Sequence, residues 1–453
     1  MPHSRGAELR RAEQVPDHKP SNNPAPNSSP PSPIPHRRRE VFAWMMYDWA
    51  NSAYSTLLIT VVMHYIQEVV LPGDAGPVAF AWGIGGAMIA AAVLSPIVGA
   101  EADANRSKRR WLAGTAFCGA AATVAMALVP IEPAWLVIAL FVLMGVCFEL
   151  SLVPYNGFLL EITDERTINR VSAWGYALGY AGGSIPLVAA LLLFKYSHHA
   201  GLTDQTLLHR LCILMLGLWW GLFSLPTVLI LRDRGPRPDS TEPFGRAARA
   251  AVARVARTIA NIRRFPVLAL FLLAFLFYND GIQTVITQAT TVANKDLHFS
   301  VGELFLLVLM IQLIALPGAL LMGRLSDRLG QKAVLLGCLV VWSGLLIAAA
   351  AVEEKTSFWI MGFVLALVMG GTQSVSRALM GTITPQRHAA EFFGFFNLSG
   401  KAASILGPVQ FGLVILLTGQ ARLAAVSLLI FFIVGGLLLA KINVAEGRRQ
   451  AAG

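Results

Sequence analysis

Runs of about twenty apolar residues recur along the whole chain, and no other feature restricts its folding so strongly. At 1.5 Å rise per residue, a helix of that length crosses the roughly 30 Å hydrocarbon core of a bilayer. The runs lie near 41–69, 78–100, 111–130, 134–160, 171–194 and 208–231, then near 266–290, 301–323, 333–351, 357–380, 392–417 and 421–441. They are too long for barrel strands and do not alternate with period two. Only 14% of the 453 residues are charged, too few to coat a soluble body of this size. The expected fold is an all-α polytopic membrane protein with twelve transmembrane helices in two pseudo-symmetric six-helix halves.

The formal net charge of +10 invites a nucleic-acid reading, which its distribution removes. Of the 36 Lys and Arg, 30 fall in alternate connections and the two tails, while Lys195, Arg210, Lys295, Lys355 and Arg422 fall in the others and Lys401 falls inside a span. This is the positive-inside asymmetry, and it predicts both termini in the cytoplasm of an inner or plasma membrane protein. No nucleic-acid partner is expected. Cys118, Cys147, Cys212 and Cys338 all sit in apolar runs without a CxxC pair, which gives neither a disulfide framework nor a metal site.

The expected domains are a disordered cytoplasmic tail at 1–39, a six-helix half at 40–232, a linker at 233–264, a second half at 265–442 and a tail at 443–453. The first tail is rich in Pro, Ser and Asn and lacks the apolar core of a signal peptide. In the linker, Val252, Val255, Ile259 and Ile262 recur at helical spacing, with Arg246, Arg249, Arg257 and Arg264 largely on other faces. That pattern predicts an amphipathic helix on the membrane surface.

The halves repeat one another. Gly99 to Asp103 after the second span and Gly323 to Asp327 after the eighth share Gly-x-x-x-Asp followed by basic residues, and Tyr47-Asp48 is echoed by Tyr278-Asn279-Asp280. Repeats of this kind place a binding site between the halves near the midplane. The second copy, Gly323-Arg-Leu-Ser-Asp327-Arg328-Leu-Gly330-Gln-Lys332, resembles the loop signature of the major facilitator superfamily; the first departs from it at Ala104 and lacks the loop glycine. Tyr47-Asp48-Trp49-Ala50-Asn51-Ser52-Ala53-Tyr54, Tyr155-Asn156-Gly157-Phe158-Leu159 and Gly175 to Gly183 are similar to the autophagy-related vacuolar amino-acid effluxer-like branch. The resemblance covers about residues 40–442. It implies a transporter rather than an enzyme, no cofactor, a monomer, and a central cavity lined by helices one, four, seven and ten with eleven beside them.

Charged side chains inside spans are costly and mark function by default. Asp48 lies about 12 Å beyond Glu40 along the first span and Asp280 about 22 Å beyond Arg264 along the seventh. Glu149 is near the middle of the fourth span and Lys401 is well inside the eleventh. In the implied architecture all four converge on one aqueous site. Asp48 or Glu149 then becomes the proton-coupling carboxylate, Lys401 a receptor for a substrate carboxylate, and Asp280 a receptor for an ammonium group. Asn51, Asn156, Gln283, Gln373 and Asn397 are neutral candidate ligands. Each has a structural alternative: packing hydrogen bonds for the amides and Asp48, an ion pair for Lys401, a helix cap beside Gly281 for Asp280. Asp103, Asp327, Arg328 and Lys332 are the expected inner gate, joined by Arg166, Arg170 and Glu161 at the next inner loop and by Arg377 and Glu391 at its counterpart.

These residues suit a secondary active transporter that moves a small polar solute, an amino-acid-like zwitterion being favoured, coupled to protons or to sodium. A membrane-embedded ligand sensor without flux and an exporter of amphipathic drugs stand as alternatives. The pattern His199 to Asp204 has no partner motif, and Gly83-x-Gly85-Gly86 follows no strand, so neither supports an enzyme. The stripe Gly175, Gly179, Gly183 predicts close packing of the fifth span on a neighbour.

Overall fold

The computed structural model describes residues 36–234, 250, 252–253, 255–256, 262–295, 297, 299 and 301–452. Twelve helices among them are long and apolar enough to cross a membrane. The first half holds α1 (Arg38–Val70), α2 (Ala75–Asn105), α3 (Lys108–Leu128), α4 (Ala134–Ile162), α5 (Ile168–Tyr196) and α6 (Gln205–Ile230). The second holds α7 (Pro266–Lys295), α8 (Val301–Leu329), α9 (Gln331–Ala349), α10 (Lys355–Thr382), α11 (Ala389–Thr418) and α12 (Arg422–Ala440). A short helix, α13 (Val444–Ala452), follows.

Both halves assemble the same way. In the first, α1 packs on α5 and α6, α3 on α4 and α6, and α2 on α4. In the second, α7 packs on α11 and α12, α9 on α10 and α12, and α8 on α10. The repeated sequence therefore builds a repeated bundle. Proline interrupts α2, α4, α5, α6, α8 and α11 (Pro96, Pro154, Pro186, Pro226, Pro317 and Pro408), which a membrane helix tolerates when neighbours satisfy the freed backbone groups. The halves meet where α2 lies on α11 and where α5 lies on α8 and α10.

Each expected tail contributes a helical stretch. Helical structure already begins at His36, just ahead of the α1 span, so Arg37, Arg38 and Arg39 of the expected tail lie in it, and Glu40 near its start pairs with Arg234. Within the expected 443–453 tail the chain forms α13: its Gly447 sits against Ile383 and Val267, and Arg448 approaches Glu165 of the other half at 3.5 Å. Most of the expected linker helix lies outside the described residues, as do residues 1–35.

Candidate substrate and ion-coupling site

The glycine stripe of α5 brings α1 into contact and so fixes where Asp48 lies. A Cβ on Gly175 would fall 2.4 Å from Asp48 Oδ2 and 2.7 Å from an Arg377 nitrogen; one on Gly182 would fall 2.3 Å from the Trp49 carbonyl oxygen. Only glycine leaves room at these positions, which bears out the expected close packing of α5.

Asp48 has a partner that the sequence reading did not assign to it. Arg377 Nη2 donates to Asp48 Oδ2 at 3.0 Å and Nη1 to Oδ1 at 3.4 Å, a two-pronged contact between α1 of one half and α10 of the other. The guanidinium also donates to the Ser172 hydroxyl (3.0 Å) and carbonyl (2.9 Å), while that hydroxyl donates to the Ser374 carbonyl at 2.7 Å. Its centre lies 4.7, 5.7 and 4.1 Å from the rings of Trp44, Tyr155 and Tyr176. Arg377 was expected at an inner-loop gate. It is instead buried, because Asp48, Ser172 and three aromatic faces replace the water a guanidinium would otherwise need.

A second pair crosses between the halves. Lys401 of α11 sits 2.7 Å from Glu149 Oε1 of α4. Next to it, Asn397 donates to Ser95 Oγ at 3.0 Å and to the Glu149 carbonyl at 3.2 Å. The other carboxylate oxygen, Glu149 Oε2, is buried with no hydrogen-bond partner. Further unmatched polar atoms are Asn51 Nδ2 on α1 and Asn156 Oδ1 on α4 itself.

Asp280 stands apart. Fully buried on α7, it accepts the Gly407 N–H at 3.0 and 2.9 Å, one residue before Pro408, where a proline disturbs the helix ladder. Thr284 Oγ1 beside it is buried and unpartnered. Of the four charges expected in one cluster, three enter two cross-half ion pairs and the fourth, Asp280, accepts a backbone N–H of α11. Gln373 accepts from the Tyr180 hydroxyl at 2.9 Å, another contact between halves. Gln283 is half-buried on α7, and its carbonyl accepts from Thr287.

At the face where α1 begins, the repeated Gly-x-x-x-Asp segments do the same job twice. Gly99 lets α2 approach the start of α11, where a Cβ would fall 2.2 Å from the Ala390 carbonyl oxygen, and Asp103 accepts the Glu391 N–H at 2.8 Å. Gly323 lets α8 approach α5, where a Cβ would fall 2.5 Å from Ala173 Cβ, and Asp327 accepts from Asn169 Nδ2 at 3.0 Å. Lys108 lies 2.8 Å from both Asp103 and Glu161, and Gln331 donates to Asn169 at 2.6 Å. Other expected gate residues divide. Glu391 donates its backbone N–H to the cross-half contact with Asp103, and its carboxylate faces His388 at 3.1 Å. Lys332 donates to the Ala440 and Ile442 carbonyls and so fastens α9 to the end of α12 within one half. The Arg166 backbone donates to Asp164, and Arg328 is exposed. Ser172, Trp44, Tyr176, Asn169 and Lys108 are participants that the sequence reading missed. The aromatic residues lay in or beside the segments that carried the resemblance, but nothing in one sequence said that they enclose an arginine.

A family profile described as "Vacuole effluxer Atg22 like" matches residues 83–452. The Bacillus subtilis (strain 168) protein YxiO, described as an uncharacterized MFS-type transporter, is 32% identical over 405 residues, which cover 88% of this chain and 93% of that protein. Autophagy-related protein 22 of Cryptococcus neoformans var. neoformans serotype D (strain JEC21) is 29% identical over 303 residues, covering 63% of this chain and 52% of that protein; the chain spans about half the length of this fungal relative. Among solved structures, the Major Facilitator Superfamily transporter FucP in its outward conformation aligns with a TM-score of 0.67 at 14% identity, over 90% of this chain and 99% of that one. At that identity the likeness shows the fold alone.

Proposed function

The chain belongs to the Atg22-like family of major facilitator transporters, and from that premise we propose that it carries a small amino-acid-like zwitterion by alternating access, driven by protons. The observation that carries this reading is the Glu149–Lys401 pair, which joins the two halves at 2.7 Å deep in their spans. If the halves rock apart at the basic face, each cross-half pair splits and leaves a carboxylate on one half and a cation on the other. A zwitterion replaces both lost partners at once, its ammonium on Glu149 and its carboxylate on Lys401. A solute with one charge matches only one of them.

Proton coupling is assigned to Glu149 in preference to Asp48. Asp48 is locked to Arg377 by a two-pronged contact, whereas Glu149 meets a single nitrogen and keeps one oxygen free of hydrogen bonds. A proton on Glu149 neutralises it and releases Lys401, so protonation and separation of the halves favour each other. Arginine- and lysine-rich connections put both termini in the cytoplasm of the inner or plasma membrane.

The test uses the full chain in liposomes with an internal pH dye and an amino-acid panel on either side. Substrate-dependent proton movement, lost in Glu149→Gln, supports the reading. Flux that continues in that variant with its proton movement intact overturns the assignment of Glu149. Absence of flux for every amino acid removes the zwitterion.

A further inference from the structure

The basic face carries a cavity apart from the two intramembrane ion pairs. Its volume is ≈ 270 Å³, and it lies between α5 and α8, one helix from each half, lined by Arg170, Ala173, Trp174, Leu320, Arg324 and Asp327. Arg170 and Arg324 are exposed, and among the described residues neither guanidinium has an ion pair or hydrogen bond. Asp327 already accepts from Asn169. Two arginines and one aspartate leave a net charge of +1 in the lining, the complement of one phosphodiester, and arginine forks match phosphate oxygens.

The order of residues with depth points to the ligand's other end. Arg170 lies two residues past the start of α5 at Ile168, and Trp174 follows one turn deeper. Arg324 lies five residues before the end of α8 at Leu329, and Leu320 is one turn deeper. The lining therefore runs from guanidinium to indole to aliphatic going into the membrane. Trp174 is 43% exposed, as suits a ring at headgroup depth. A free phosphate would meet only the arginines, whereas a phospholipid would also use the indole and the leucine.

We propose that this cavity binds the headgroup phosphate of an anionic phospholipid, and that the lipid, held by one arginine from each half, favours the closed arrangement of the basic face. The full chain is reconstituted in phosphatidylcholine bilayers with or without phosphatidylglycerol. Phosphatidylglycerol retained on the protein is counted by native mass spectrometry, and melting is followed alongside. Wild type is expected to retain phosphatidylglycerol and melt higher with it. Arg170→Gln with Arg324→Gln should bind it about thirtyfold more weakly, on the scale of a few-fold per arginine at an anionic surface. Arg166→Gln with Arg328→Gln, on the same face but outside the cavity, should bind as wild type does. Equal losses in the two double variants, or none in either, overturn the site.

Brominated phosphatidylglycerol supplies a second readout that leaves both arginines in place. It should quench tryptophan fluorescence less in Trp174→Phe than in wild type, and equal quenching overturns the proposal. Inorganic phosphate in detergent forms the last arm. If it raises the melting temperature as much as phosphatidylglycerol does, the ligand is a free anion and the lipid is excluded.

Discussion

Among the described residues two ion pairs join the halves inside the membrane spans, and they are built to opposite specifications. The side chains of Arg377 and Asp48 are 3% and 10% exposed, and the guanidinium is further held by Ser172 and three aromatic rings. Lys401 is 22% exposed and holds Glu149 by one contact, without a cage. Arginine cannot shed its proton in a protein and binds as a rigid fork; lysine is a point charge on a flexible stem. One pair is therefore fitted to hold two helices in a fixed relation, the other to exchange partners. This difference directs the holding role to Asp48 and the chemical role to Glu149.

The largest effect should come from Asp48→Asn. It strands a buried guanidinium, and breaking such a pair costs about 3–5 kcal/mol. The variant is expected to melt well below wild type and to lose transport. Pairing it with Arg377→Met should restore much of the melting temperature, since the uncompensated charge is gone, but not the transport. Recovery of transport in the double variant would show that the pair only packs.

Arg377→Lys should come next. A lysine keeps the charge but gives up the second prong, the fork toward Ser172 and the guanidinium contact with the Tyr176 ring. The loss of these contacts is expected to cost roughly 1–3 kcal/mol, less than Asp48→Asn, with transport reduced but measurable. If Arg377→Lys transports like wild type, the rigid fork is not what the first pair contributes, and the contrast between the pairs fails.

Glu149→Gln probes the second pair and should separate stability from coupling. Because Lys401 is partly exposed, freeing it is expected to change stability by about 1 kcal/mol or less. Exchange of substrate for substrate across the liposome membrane should persist in this variant with weaker substrate affinity, and its rate should no longer follow the imposed pH difference. A large drop in melting temperature would instead give the pair a structural role like that of Asp48.

Much of this arrangement was legible in the sequence, for reasons that differ by scale. The twelve spans could be read because each must satisfy the bilayer's length and polarity by itself, a local condition. The Gly-x-x-x-Asp repeats were legible too: each copy closes the same kind of joint, with Gly99 and Asp103 against α11 and Gly323 and Asp327 against α5. Asp48, Glu149, Asp280 and Lys401 stood out as intramembrane charges, but their pairing did not. Partners 329 positions apart, as Asp48 and Arg377 are, leave no periodic trace in one chain. Arg377 lies near the end of its apolar run, which points to an inner loop, and its burial follows from Asp48, Ser172 and the aromatic rings on other helices. Nothing local to Asp280 shows in the sequence that its carboxyl meets the Gly407 N–H beside Pro408.

The finest test of the contrast is Lys401→Arg, which keeps the charge and changes only how it is delivered. An arginine opposite Glu149 can supply two parallel N–H donors where lysine supplies one, and its fork could reach the carboxylate oxygen that lacks a partner. The pair would then resemble Arg377–Asp48 and release more slowly. Stability should rise or hold within about 0.5 kcal/mol, the scale of a substitution that removes no contact. Turnover should fall a few-fold, while the affinity for substrate changes little. A variant that turns over as fast as wild type would show that separation of this pair does not limit the rate. The slow step would then lie in parting the sealed pair, and the exchange role would rest on Glu149 alone.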